Sequence, residues 1–242
     1  MTKYLLLLFT LGLLATAVEP PLPTYTVARV DRDLALTGKA DDPLWARAEA
    51  VALTDADTGA PARFATTVRA LYNARYLYVA FTCEDDYVWG TVTEHDGAIY
   101  AEECVETFLA PSGSFRAYYE INVSPRNTVF DSYQLSRSLP DGSFRKLQFL
   151  RDYTCEGLVT KVSITGELNT PGGAKGWSVE YAIPFTAIVG RDNIVPNPGD
   201  RWRANFARID TPRPEKPAFA SWSPLGYHDF HRSYRFGWMV FT

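Results

Sequence analysis

Cysteine, histidine and methionine are all scarce: the 242 residues hold three, three and two of them. Each scarcity narrows the field. Cys83, Cys104 and Cys155 can form at most one bridge, whereas a disulfide scaffold needs dense, even-numbered cysteines. Cys83 and Cys104 lie in apolar runs, where buried free thiols are common. The cysteine spacings match no zinc pattern. His228 and His231 have no third histidine or cysteine near them in sequence, and His95 is remote, so they read as surface histidines. A basic surplus is also missing. The chain has 24 Lys and Arg against 28 Asp and Glu, a formal net charge of −4, whereas nucleic-acid binders usually carry a basic stripe and a high pI. No nucleic-acid partner is expected.

Long apolar runs are confined to the N-terminus. Lys3 supplies one positive charge, residues 4–18 are apolar and Leu-rich, and Ala15-Thr16-Ala17 offers small residues to a signal peptidase. The run spans roughly 15 residues, short of the roughly 20 that a membrane-crossing helix needs. Residues 1–17 are expected to be a signal peptide, 18–28 a solvated linker around Glu19-Pro20-Pro21, and 29–242 one exported domain, periplasmic or extracellular. No membrane span is expected once the leader is removed. Nothing in the sequence points to an oligomeric state. A remainder of about 225 residues suits one large β-sandwich or barrel.

What is plentiful is β structure. Short apolar and aromatic runs, separated by Gly, Pro, Asn and Asp, cover residues 67–72, 76–83, 104–110, 117–123, 128–133, 158–164, 177–183, 201–209 and 236–241. The expected fold is all-β: a two-sheet antiparallel β-sandwich, jelly-roll or immunoglobulin-like, with one or two short helical turns. One turn starts at Asp41-Asp42-Pro43 and carries Trp45 and Ala48; another opens at Pro184 and runs through Ile188. Residues 73–75 have the length of a tight hairpin loop, and Asn73 tolerates a left-handed backbone.

Strand alternation assigns the faces. Tyr119, Ile121 and Val123 share one face, while Tyr118, Glu120 and Asn122 share the other, which is polar and aromatic. Glu106 shares a face with Cys104 and Phe108. Burying its carboxylate unpaired would cost several kcal/mol, so Glu106 is either paired inside or part of a site.

The same residues carry a family resemblance. Gly38-Lys39-Ala40-Asp41-Asp42-Pro43-Leu44-Trp45, Glu102-Glu103-Cys104-Val105-Glu106, Tyr118-Tyr119-Glu120-Ile121-Asn122-Val123, Gly176-Trp177-Ser178-Val179-Glu180, Gly199-Asp200-Arg201-Trp202 and Ser221-Trp222-Ser223 follow one another in register. With these motifs the chain resembles the family 9 carbohydrate-binding modules and the wider group of DOMON-like exported sandwiches. The resemblance implies a non-catalytic protein that clamps a mono-, oligo- or polysaccharide ring between two aromatic side chains over a polar sheet face. The aromatics correspond to Tyr100, where better-studied modules carry Trp, and to Trp222. Glu106 and Asn122 match the polar set, whereas Glu120 stands where the family has Arg, exchanging donors for an acceptor. Arg208, with Arg203 and Asn205, could replace those donors if its strand lies alongside. No cofactor is required; family members can hold calcium, for which Asp85, Glu102 and Glu103 offer suitable hard oxygens.

The remaining tryptophans have plainer roles. Trp45, Trp177, Trp202 and Trp238 read as core, with Trp89 a reserve stacking candidate. Two other functions stay open: a glycoside-active enzyme using Glu106 and Glu120 as paired carboxylates, and a haem-binding redox domain using Met239.

Overall fold

The computed structural model describes residues 20–138, 144–189, 194–211 and 216–242. The expected signal peptide, 1–17, lies outside the described residues. Among the described residues no helix is long and apolar enough to cross a membrane.

The strands are β1 (Thr24–Arg29), β2 (Val51–Ala52), β3 (Thr54–Asp55), β4 (Thr66–Tyr72), β5 (Tyr76–Glu84), β6 (Cys104–Ala110), β7 (Ala117–Val123), β8 (Val129–Ser138), β9 (Phe144–Leu150), β10 (Val159–Gly166), β11 (Ala174–Pro184), β12 (Arg201–Asp210), β13 (Ala218–Ser221) and β14 (Gly237–Phe241). One layer runs β10-β11-β5-β4, with β2 beside β4; the other runs β14-β12-β6-β7-β8-β9, with β13 beside β12 and β3 beside β13. β1 joins the layers, pairing in parallel with β14 through residues 24–27 and with β4 through Ala28 and Arg29. This is the all-β sandwich that the sequence predicts.

Every predicted run is a strand, and β6 and β7 agree with prediction residue for residue. β1 corrects the expected linker. Its alternating side chains turn Tyr25 and Val27 wholly inward, so the ordered sandwich begins at Thr24 rather than at residue 29. Asp42 caps a 3-10 turn at Pro43–Arg47 by accepting from the Leu44 N–H at 2.9 Å, and a second turn, Phe185–Ala187, follows Pro184. In the β4-β5 hairpin Asn73 acts through its side chain, whose Oδ1 accepts from the Arg75 and Tyr76 N–H groups, and its own φ is not positive.

The main core lies between the layers. Val79, Phe81, Val179 and Tyr181 from one layer meet Val105, Ile121, Phe206 and Met239 from the other. The outer face of the first layer is covered by residues 30–48, tied down by Glu180, whose carboxylate accepts from Trp45 Nε1 at 2.7 Å and from the Thr37 and Gly38 N–H groups. Gly38 has φ +85°, and a Cβ there would stand 2.6 Å from the Val162 carbonyl carbon, so only glycine fits. All three cysteines are buried and free. The outer face of the second layer holds the cleft.

Candidate functional site

Strand alternation sets the floor of this cleft. Glu106 of β6 faces Asn122 of β7 and Ala207 of β12 in register, and Phe219 of β13 faces Ile209 of β12. Side chains at these positions all point outward from the second layer. A cleft of about 290 Å³ opens over Glu106, Glu120, Phe130 and Ile209, with Tyr100, Phe149, Arg151, Phe219 and residues 228–231 as its walls. That volume is at the lower end of the roughly 300–1,000 Å³ of small-molecule sites. Tyr100 stands on the turn Ile99–Ala101, with 37% of its surface exposed, edge-on to Phe130 at 5.4 Å. Opposite wall positions are taken by Phe219 and His228, which stack at 5.4 Å and 22°.

The two floor carboxyls differ in their surroundings. Glu120 accepts from Asn122 Nδ2 at 2.9 Å, Gln134 Nε2 at 2.7 Å and Ser132 Oγ at 3.4 Å. Among the described residues, Glu106 has only the long contact from Cys104 Sγ at 3.5 Å. Burial first, then the negative charges of Glu120 and Asp229, push the Glu106 carboxyl well above the usual carboxylate range. A carboxyl held protonated can donate as well as accept. Further donors lie in the walls. Arg151 reaches the Tyr100 hydroxyl at 3.4 Å, and His231 Nδ1 contacts the Tyr118 hydroxyl at 2.8 Å.

Tyr100, Glu106 and Glu120 are thus brought together, with Asn122 buried at the edge of the floor as a support for Glu120. Trp222 is not with them. It follows β13, where Phe219 and Ser221 face the cleft and Ala220 and Trp222 face the core; its ring packs against Tyr25 and Phe206 at 6.2 and 5.8 Å. A Tyr100–Trp222 clamp is therefore excluded by strand alternation. Arg208 is likewise on the inner face, bonded to Asp85, to Glu103 Oε1 at 3.1 Å, to Thr66 Oγ1 at 3.1 Å and to the Glu84 carbonyl at 2.8 Å. β12 does lie alongside β6, but Asn205 is spent on Ser223, and Arg203 on the Tyr234 carbonyl and the Trp238 ring.

The calcium set does not fit. Asp85 and Glu103 both pair with the Arg208 guanidinium, and Glu103 also accepts from Trp177 Nε1 and the Trp89 N–H. Glu102 is occupied by the Thr91 and Val92 N–H groups and the Thr91 hydroxyl. Trp89 is buried, with its indole N–H on the Thr211 carbonyl, which removes it as a stacking platform. Met239 is sealed in the main core, out of reach of any haem.

The family model for carbohydrate-binding family 9 matches residues 60–241, about three quarters of the chain. The chain belongs to carbohydrate-binding family 9. Among solved structures it resembles a protein from Bacteroides uniformis named for an inferred carbohydrate-binding role, at 19% identity and TM-score 0.72, covering 92% of this chain and all of that one. It also resembles a family 9 module from Caldicellulosiruptor kristjanssonii in complex with cellotriose, at 14% identity and TM-score 0.60, covering 91% and 94% of the two chains. With glucose bound, the corresponding values are 14%, 0.58, 91% and 96%. At these identities the likeness carries the fold. No protein of curated function matches the sequence.

Within this family 9 chain the sequence reading overlooks Phe149, Arg151, Ile209, Phe219 and residues 228–231 as cleft positions. Phe219 alone had a local signal: Ala218-Phe219-Ala220-Ser221 alternates like a short strand, which also turns Trp222 inward. His228 is exposed and His231 partly so, as expected, and both also wall the cleft because their segment folds back over Phe108 and Phe219.

Proposed function

We propose that this carbohydrate-binding protein is exported, is not catalytic by itself, and takes one sugar ring in the cleft between Tyr100 and the Phe219–His228 wall. The observation that carries this reading is the half-open Tyr100 ring beside two buried carboxyls in a cleft sized for a single ring, in a family 9 chain. A pyranose has apolar C–H faces and a rim of hydroxyls. Aromatic walls remove the faces from water, while Glu106, Glu120 and Arg151 supply donors and acceptors for the rim. The Lys3-to-Ala17 leader pattern supports export.

The carboxyl arrangement speaks against glycoside hydrolysis. Glu106 and Glu120 are diagonal neighbours on adjacent strands and address a ligand from one side, whereas glycosidase carboxyls flank the scissile bond. A glycan array probed with the mature protein, followed by affinity electrophoresis on the hits, tests the reading. Retention by at least one glycan without release of reducing sugar is expected. Absence of any retention, or sugar release abolished by Glu106→Gln, would overturn it.

A further inference from the structure

The loop that leads into the Tyr100 turn brings together a histidine and two aspartates outside the cleft. His95 Nε2 lies 3.6 Å from Asp96 Oδ2 and 3.9 Å from Asp131 Oδ2, and one donor atom from each residue falls within 4.8 Å of the other two. Asp131 belongs to the inward face of β8, with 1% exposure. Its Oδ2 accepts from the Cys155 N–H at 3.3 Å, but its Oδ1 is sealed from solvent and has no hydrogen-bond partner among the described residues. Asp96 places its Oδ1 on the Asp131 N–H at 3.2 Å and its own N–H on the Val129 carbonyl at 3.0 Å, which leaves Oδ2 turned toward His95.

We propose that His95, Asp96 and Asp131 form a binding site for a divalent cation of the zinc class. A buried carboxylate with an oxygen left unpartnered is costly, and a cation held at the same carboxylate offsets that cost. One imidazole nitrogen with two carboxylate oxygens is a zinc donor set; calcium takes six to eight oxygens, and histidine is foreign to it. Zinc–donor distances of about 2.0–2.2 Å place tetrahedral ligands about 3.4 Å apart. The two His95 separations, 3.6 and 3.9 Å, close to that value with a small swing of the half-exposed His95 ring, and the carboxylate pair starts within 4.8 Å. The Cys155 N–H already orients Asp131, as hydrogen-bond partners of metal ligands do. Such an ion would pin the loop before Tyr100 to β8, next to Phe130, against which Tyr100 packs.

The test is a ZnCl2 titration of the tag-free, EDTA-treated mature chain against a chromophoric chelator, with melting curves in parallel. One equivalent should bind and raise the melting temperature. His95→Ala and Asp131→Asn should each weaken binding at least about 10- to 100-fold, the loss that altering a mere hydrogen-bond partner of a ligand brings. His228→Ala should bind like the parent. His95 is half exposed, so its variant should keep the metal-free melting temperature and separate loss of binding from loss of fold. Sub-stoichiometric binding, parental affinity in His95→Ala, equal loss in His228→Ala, or calcium binding in place of zinc would overturn the proposal.

Discussion

Replacing Arg208 by Met tests whether this arginine serves the core or the ligand. Its guanidinium is buried among Asp85, Glu103, Thr66 Oγ1 and the Glu84 carbonyl, on the side of β12 that faces Val105 rather than the cleft floor. Burial raises the Glu103 carboxyl well above its usual range even with Arg208 present, so without the cation two sealed carboxyls are left uncompensated. Breaking a buried pair by removing one partner typically costs about 3–5 kcal/mol. Against a total stability of about 5–15 kcal/mol the variant stays folded but marginal. At about 2–4 °C per kcal/mol for a domain of this size, the melting temperature should drop by about 6–20 °C. The triple variant Asp85→Asn, Glu103→Gln, Arg208→Met should recover most of that loss, since apolar or neutral replacement of a whole buried network is often near neutral. Melting by circular dichroism and urea titration reads the stability; sugar titration at 15 °C reads the site. Sugar affinity lost in Arg208→Met with stability unchanged would refute the placement and return Arg208 to the ligand set.

Glu106 should make stability depend on pH. Its carboxyl titrates higher in the folded chain than the unfolded value of about 4.3, so the native state binds the proton more tightly and stability declines as pH rises from there toward the raised value. Glu106→Gln should therefore melt higher than the parent by a margin that widens as pH rises above the unfolded value; a margin constant with pH would contradict the shift. Gly237→Ala should cost about 1–3 kcal/mol or more by overpacking, because its Cβ would stand 2.5 Å from Trp222 Cζ3 and 2.8 Å from the Pro23 carbonyl oxygen. Trp222→Ala should lose about 3–5 kcal/mol of stability as a core truncation, and denaturant melts that show under 1 kcal/mol would put the ring back outside.

The sandwich was largely legible because apolar runs and turn residues are local signals: β6 and β7 follow from alternation alone, as does the face shared by Glu106 and Glu120. β1 was hidden by the prolines before it, and β13 by its four-residue length between Pro217 and Pro224. Without β13, no local pattern turns Trp222 inward. Arg208 was misassigned for a different reason. Its partner Asp85 lies 123 residues away, and pairing over that distance leaves no trace in local pattern. His95 and Asp131 escaped notice likewise, being joined only when the loop docks on β8.

Isothermal titration of the mature protein with its best-retained sugar, comparing the parent with Tyr100→Ala and Trp222→Phe, tests the cleft most directly. Loss of the stacking ring should weaken binding by about 1–2 kcal/mol, roughly 5- to 30-fold, while the core substitution leaves the affinity of the folded protein within about twofold. Undiminished binding in Tyr100→Ala, or selective loss in Trp222→Phe at intact stability, would contradict a ligand ring resting on Tyr100.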